Sequence, residues 1–551
     1  MRADWRLALA LTWVLMASGG CSRFTTTAPD DDSADDDDTG DDDDIGDDDT
    51  LDEAWPEFAV GVEYAQIGLG AAYTDSSVTW TKTRLEAFEW GTSEPDPPSD
   101  GVHTYDWSCT DAMILDAQAA GLVDVQSYLS PRNPWGSVDV SELLDGDIMP
   151  AADHMDDYRA WVAALIERYD GDGYQDMPEL AAPVRYWVVG PEWTGFWPSD
   201  DHEDYIELAE ATAEEARDVF SQVRLGTIPL LFVTEFEGNE PSTAEIEDRM
   251  ASSSDFRNST AGVHAILDRL DLFDYLCVHS LGNYTEVAPM LRWFRGQMSD
   301  RGFDLPIWFD DAFPMGPLAN YLNFPVQYPV DANQQDDIWD ILDNIARMES
   351  GYEANADWLH AHAASDTVKK LVTARAEGAI GIQIGNTEDW VSDDDPALRQ
   401  ATAALIGAAS FMGMRDVDHA AGYGKCDERA AGDLRPAYRN VQLVMDKIGD
   451  QQFAVIESMG DLEGARGYRF AGAGSEFWVL WQEDGVFRLP GDAESPSTYT
   501  YTVPPGSEGG VYGTDAVIDP SAPPAERRDL HPNGTTLHLE LTSVPVFVEF
   551  E

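Results

Sequence analysis

The sequence predicts an α/β fold, a (β/α)8 TIM barrel followed by a C-terminal antiparallel β-sandwich. Three observations carry this expectation. From Trp55 to residue 440, eight short β-rich runs alternate with amphipathic helical stripes, the count of such a barrel. After residue 440 only short strands follow, set apart by Gly, Pro, Asn and Asp, with no helix-length apolar stripe. Carboxylates also stand at the ends of the fourth and seventh runs, where a barrel presents its polar side chains.

The chain begins with Arg2 and Arg6 flanking an apolar stretch, Leu7 to Met16, then Ala17-Ser18-Gly19-Gly20 and Cys21. This reads as a secretory signal peptide over residues 1–20, too short to span a bilayer. Small residues ahead of a Cys resemble a bacterial lipobox, which makes Cys21 the lipidated mature N-terminus. Ser18 stands where Leu is usual, and ordinary signal cleavage is the alternative. Residues 21–54 are a disordered linker: positions 30–49 hold 14 Asp and no basic residue. Such a run repels itself and has nothing to bury, so it is an extended spacer between anchor and body. Calcium binding is the alternative for this run, but no Gly-punctuated loop ends in Glu.

Residues 55–440 form the expected barrel. Its strands are Ala59–Tyr64, Thr79–Leu85, Val123–Tyr128, Val184–Val189, Val223–Phe232, Phe273–His279, Pro306–Phe309 and Ala379–Ile384. Between them Tyr158, Trp161, Val162, Leu165, Ile166 and Tyr169 follow helical spacing, as do Ile206, Ala209, Ala213, Ala216 and Phe220. Val287, Leu291, Phe294 and Met298 form a stripe that Thr285 caps and Gly302 stops. Leu398–Phe411 is a further helix. A doubly wound open sheet is the runner-up, but no Gly-rich phosphate loop follows the first strand. The sandwich, residues 441–551, takes Phe453–Glu457, Gly467–Phe470, Phe477–Trp481, Tyr499–Val503, Thr536–Leu541 and Val544–Phe550 as strands.

Charge narrows the partners. The chain has 551 residues, 104 Asp+Glu, 33 Lys+Arg and a net charge of -71. Setting aside the 14 spacer Asp and the net +2 that flanks the signal leaves -59 on residues 51–551. Nucleic acid and anionic lipid both need clustered Lys/Arg, so neither is expected, and membrane contact runs only through a lipid anchor. Neutral sugars suit this body better than polyanionic glycans. Beyond Cys21 three cysteines remain, Cys109, Cys277 and Cys426; an odd number leaves one unpaired, and Cys277 in the apolar run Phe273–Val278 reads as a buried hydrophobe. No Cys/His spacing suggests a metal, no cofactor is implied, and nothing fixes an oligomeric state.

The fourth strand ends Val189-Gly190-Pro191-Glu192-Trp193 and continues to Trp197. A carboxylate among indoles is desolvated, which raises its pKa towards that of a general acid, and indole faces suit the C–H faces of sugars. The seventh strand ends Phe309-Asp310-Asp311. Two carboxylates on different strand tips facing one mouth is the arrangement glycoside hydrolysis uses. Trp193, Trp197 and Trp390 are candidate sugar platforms. His279 ends the sixth strand, as a pocket residue or a satisfied core histidine. Arg84 ends the second strand and ion-pairs an inward carboxylate, or forms a structural bridge. Glu63 and Glu86 are further mouth candidates.

These motifs carry a resemblance. Val184–Trp197 resembles the strand-four motif of clan A glycoside hydrolases, W-x-x-G-N-E-P, and Leu305–Phe313 resembles their strand-seven P-I-W-x-T-E-x-G. Arg84–Trp90 through Glu94-Pro95 and Tyr105-Asp-Trp107 resembles strand two of the family holding β-xylosidases and α-L-iduronidase (family 39). Phe273–His279 with Tyr284 is similar to its strand six, and Leu541–Glu549 to the last strand of its accessory sandwich. The resemblance implies that Glu192 is the acid/base, Asp311 the nucleophile, and His279, Tyr284 and Asp310 substrate neighbours. Two departures stand out. Pro191 replaces an Asn that contacts the sugar 2-hydroxyl, and Asp311 is one methylene shorter than Glu. Glu235, Glu237, Glu388 and Asp389 are candidate compensating carboxylates. The implied function is an exported, lipid-anchored O-glycosyl hydrolase; the alternative is a degenerate barrel that binds glycan without cleaving it.

Overall fold

The computed structural model describes residues 55–551, except 64–65, 141–146, 194–201, 230–235, 237, 239, 253–259, 315–327, 387–388, 390–398, 401–402, 404–406, 418–425, 450, 460–463, 473–474, 508–509 and 520–525. The expected signal peptide, Cys21 and the acidic linker therefore lie outside the described residues, as do Trp197 and Trp390.

Eight parallel strands close the barrel: β1 (Ala59–Glu63), β2 (Trp80–Lys82), β3 (Asp124–Leu129), β4 (Tyr186–Val189), β5 (Arg224–Thr227), β6 (Tyr275–Ser280), β7 (Ile307–Ala312) and β8 (Gly381–Asn386). They pair in chain order, and β8 returns to β1. Each matches an expected strand. The strands are mostly buried because helices cover the outside and side chains fill the inside.

The filling explains part of the sequence. Trp80, Trp308, Tyr275 and Tyr186 converge near the strand N-termini, with ring centroids 4.6 Å apart for Trp80–Trp308 and 5.2 Å for Tyr186–Trp308. Three of these rings sit directly across from a glycine of the adjacent strand: Gly61 with Trp80, Gly381 with Trp308, Gly226 with Tyr275. A Cβ at those glycines would lie 2.3, 2.5 and 2.5 Å from the facing ring. Large and small residues thus alternate around the ring, and the aromatic plug closes the barrel at one end.

Helices Met155–Tyr169 and Val287–Arg301 bury the stripes expected of them, and His202–Val219 buries Ala209, Ala213 and Ala216 of its own, with Ile206 half-buried and Phe220 just beyond its end. The start of the last one differs. Asn283, not Thr285, supplies the capping side chain, accepting from the Thr285 amide, and a 3-10 turn precedes the helix. Gly302 ends it in the left-handed conformation, as expected. Of the expected helix Leu398–Phe411 much lies outside the described residues, and its end, Gly407–Phe411, is 3-10. Cys109 and Cys426 form a disulfide that spans 317 residues, which leaves Cys277 free and buried. Among the described residues, no helix is long and apolar enough to cross a membrane.

The boundary at residue 440 needs correction. Helix Pro436–Lys447 runs through it, burying Ala437, Tyr438, Val441, Val444 and Met445 at helical spacing. The strand-only region starts at Val455. Its main sheet orders Val455–Ser458, Ala465–Gly472, Ser475–Gln482, Val546–Phe550, Val511–Asp515 and Arg527–Leu530, and a second pair, Ser497–Thr502 with Thr536–Leu541, lies over it. Val511–Asp515 and Arg527–Leu530 were not expected. The second is an edge strand with a polar sequence, which carries no alternation to read.

Strand Ser475–Gln482 is apolar on both faces for a reason. Phe477, Val479 and Trp481 join the core that runs through the barrel, whereas Trp478 and Leu480 join Tyr501, Leu537, Leu539 and Val548 in the sandwich core. Period-2 alternation thus sends one strand into two cores.

Candidate active site

The strand C-termini place three expected residues together. β4 ends at Val189; Gly190 takes a positive φ of 65° and turns the chain so that Glu192 meets the mouth. β6 delivers His279. Its Nδ1 lies 2.8 Å from Glu192 Oε1 and 3.8 Å from Asp311 Oδ2, and its Nε2 lies 3.1 Å from Asp310 Oδ1. Neither ring nitrogen is aligned on those oxygens as a hydrogen bond, so these contacts are ion pairs.

Consecutive residues of a strand normally point to opposite faces, yet Asp310 and Asp311 both reach His279. β7 carries a bulge that permits it. Against β6 its register runs Val278 with Phe309 and then His279 with Asp311, and against β8 the pairing skips one residue likewise. The extra residue is Asp310, and the break in alternation swings both carboxylates inward.

Lys82 of β2 completes the group. Its Nζ donates to the Asp310 carbonyl at 2.9 Å and lies 3.3 Å from Asp310 Oδ2, with both side chains essentially buried. Burial would push the Asp310 carboxyl up, but Lys82 and His279 hold it below its ordinary value. Burial would lower the His279 imidazole, but Asp310 and Glu192 override it and raise it to about 10. Both shifts favour the same ion pair. At neutral pH His279 is an imidazolium held between Asp310 below and Glu192 and Asp311 above.

A second buried lysine fixes the strand tips. Lys370, on helix Tyr352–Ala376, donates to the Ser280 carbonyl (2.7 Å), the Ser280 hydroxyl (2.9 Å) and the Phe313 carbonyl (2.7 Å). It ties the end of β6 to the end of β7, one residue past His279 and two past Asp311. Neither lysine was expected, since Lys is seldom buried.

Other expected residues are placed elsewhere. Trp193 is fully buried, with its indole against Gly262, where a Cβ would come within 1.9 Å. It packs on helix Thr260–Leu267, which follows β5, and offers no face to a sugar. Tyr284 is also buried; its hydroxyl donates to Glu483 and accepts from Trp481 Nε1 at 2.9 Å, both on the accessory sandwich. It locks the two parts of the chain together, as its short distance in sequence from His279 concealed. Arg84 pairs with Glu86 at 3.5 Å. Asp389 pairs with Arg435 and accepts from the Gly413 amide at 2.9 Å, while burial pushes its carboxyl up to about 6. Glu235, Glu237 and Glu388, with Trp197 and Trp390, lie outside the described residues, and nothing is described of the Glu63 side chain.

Among the described residues, two side-chain groups have the composition to hold a metal ion: Glu192 with His279 and Asp311, and Asp170 with Asp172 and Asp176. In each, one donor atom per residue lies within 4.8 Å of the others.

No family model matches the chain, and no curated protein does. Solved structures do. A family 39 glycoside hydrolase from the gut symbiont Bacteroides cellulosilyticus WH2 is similar with a TM-score of 0.53 and 12% identity, over 90% of this chain and 81% of that one. The likeness is one of fold. A glucosidase from Croceicoccus marinus aligns over 90% of this chain and 95% of its own, at 13% identity and a TM-score of 0.48. A family 30 endoxylanase from Clostridium papyrosolvens C71 aligns over 90% and 96%, at 12% identity and a TM-score of 0.44. The first of these likenesses shows that the chain has a glycoside hydrolase-like fold.

Proposed function

We propose that the chain hydrolyses O-glycosidic bonds between neutral sugars, with Glu192 and Asp311 as its paired carboxylates. One observation carries the reading: an oxygen of Glu192 and an oxygen of Asp311 lie within 4.8 Å of one another at the barrel mouth. Carboxyl groups about 5–5.5 Å apart suit the retaining mechanism, and wider gaps of about 6.5–9.5 Å the inverting one. The bulge in β7 supports it too, since it brings in an Asp where a longer Glu is expected. Glu192 gives its proton to the leaving oxygen while Asp311 attacks the anomeric carbon. Glu192 then takes a proton from the water that releases the sugar.

Glu192→Gln and Asp311→Asn, assayed on a panel of aryl glycosides, are each expected to lower turnover by about 10²–10⁴. Wild-type turnover surviving both substitutions overturns the assignment. One feature favours the glycan-binding alternative: the His279 imidazolium already pairs with Glu192 and nears Asp311. Saturable heat on titrating a neutral oligosaccharide, with no product from any glycoside, would select that alternative.

The same proposal holds the body outside the cell on a lipid at Cys21, with the acidic spacer between them. Labelled palmitate should enter the wild-type protein in a bacterial host and not Cys21→Ser. Equal labelling of the two would remove the anchor.

A further inference from the structure

An imidazole nitrogen and two carboxylates meet at one point of the mouth. Divalent zinc binds nitrogen and oxygen donors at about 2.0–2.1 Å, and tetrahedral angles then set neighbouring donors about 3.3 Å apart. The edges from His279 Nδ1, 2.8 Å to Glu192 and 3.8 Å to Asp311, fall on either side of that spacing. The third edge is within 4.8 Å. An ion therefore fits between the three with side-chain shifts of about 1 Å.

Three further features point the same way. His279 is 2% exposed, and among the described residues neither its Nδ1 nor Asp311 Oδ1 makes an aligned hydrogen bond. His279 Nδ1 is thus a buried nitrogen turned towards two carboxylates without an aligned hydrogen bond to either. Behind them the opposite ring nitrogen faces Asp310, which Lys82 holds in turn. A carboxylate that orients the far nitrogen of an imidazole is the second-shell support of metal-binding histidines. Finally, two carboxylates and a neutral imidazole balance a divalent charge.

We propose that Glu192, His279 and Asp311 form a binding site for a borderline divalent transition metal, the class of zinc and cobalt. The Nδ1 proton leaves to solvent as the ion enters. A nitrogen donor and only three protein ligands suit these ions better than calcium or magnesium, which prefer oxygen shells. Glu192 and Asp311 remain partly exposed, with side-chain values of 16% and 12%, so the fourth coordination position opens towards the mouth. An ion there occupies the two carboxylates that the hydrolytic reading uses, so bound metal should suppress glycoside turnover, and metal-free chain is the form that would turn over.

The test uses the full chain, stripped with a chelator and then titrated with cobalt in excess calcium. The excess calcium competes cobalt away from all-carboxylate groups such as Asp170, Asp172 and Asp176. One equivalent per chain should bind with a visible absorption band of tetrahedral type, and zinc should displace it. His279→Gln should abolish the band, and Asp310→Asn should weaken binding by about 10–100-fold. Because His279→Gln disturbs a buried pair, Asp311→Asn serves as a second variant that leaves Lys82 and Asp310 intact; it too should lose the band. A band of unchanged strength in both variants places the cobalt elsewhere and overturns the site, as does the lack of any saturable equivalent. Glycoside turnover by the metal-free chain leaves this result untouched, so failure of one reading is distinguishable from failure of the other.

Discussion

Replacing Lys370 by Met should cost about 3–5 kcal/mol of stability and disable the mouth together. The ammonium is fully buried and serves three acceptors from two strand ends, Ser280 and Phe313. Burial depresses its pKa, and Glu286, Asp366 and Asp311 partly offset that. Met keeps the packing and removes the donors. The two carbonyls lose partners that water cannot replace, and the buried Glu286 carboxylate, 4.0 Å away, loses its cation. Deleting one member of a buried pair costs about this much because the other is left uncompensated. Urea unfolding followed by tryptophan fluorescence reads the stability. Lys370 touches no substrate and acts by positioning, so kcat should fall tenfold or more under folding conditions while KM changes little. A loss below about 1 kcal/mol with kcat intact would show that the strand ends hold themselves.

The second large effect is alkaline. The His279 imidazole stands at about 10 in the folded chain, raised against the cost of burial by Asp310 and Glu192. An unfolded histidine titrates near 6.5, so the raised value stabilises the fold. That contribution is complete below about pH 6.5 and is lost as pH rises through about 10. It amounts to about 5 kcal/mol. Asp310 shifts the other way; its share is present above the ordinary carboxylate range and is lost as pH falls through its depressed value. Thermal midpoints should therefore decline from about pH 6.5 to 10. The decline should flatten in His279→Gln, a comparison that cancels other groups such as Lys369 and Lys370. Parallel wild-type and variant curves would refute the imidazolium.

The barrel was legible because its strands are short, apolar and punctuated, and because helices between them keep strict spacing. Glu192, His279 and Asp311 were legible because a barrel brings strand tips to one mouth whatever lies between. What was hidden depends on contacts that pattern does not encode. Lys370 sits in Val368-Lys-Lys-Leu371-Val372, where the apolar stripe places both lysines on the opposite face. That face reads as solvent, but the barrel mouth and the sandwich cover it. Lys82 was overlooked for the same reason. The bulge at Asp310 turns on one residue of register, invisible in a run of two aspartates. An indole next to a strand-tip carboxylate reads as facing the mouth, yet Trp193 turns away because Gly262, far off in sequence, makes room for it on helix Thr260–Leu267.

Strand Ser475–Gln482, with successive side chains in two cores, has a consequence for how the chain can be handled. Neither part has a surface of its own along that seam. Cutting ahead of Val455 would bare Phe477, Val479 and Trp481 on one fragment and their apolar partners on the other. The accessory sheet is therefore no detachable cassette to be grafted or trimmed. Chaotrope or heat should melt both parts in one step, and a barrel fragment expressed alone is expected to precipitate.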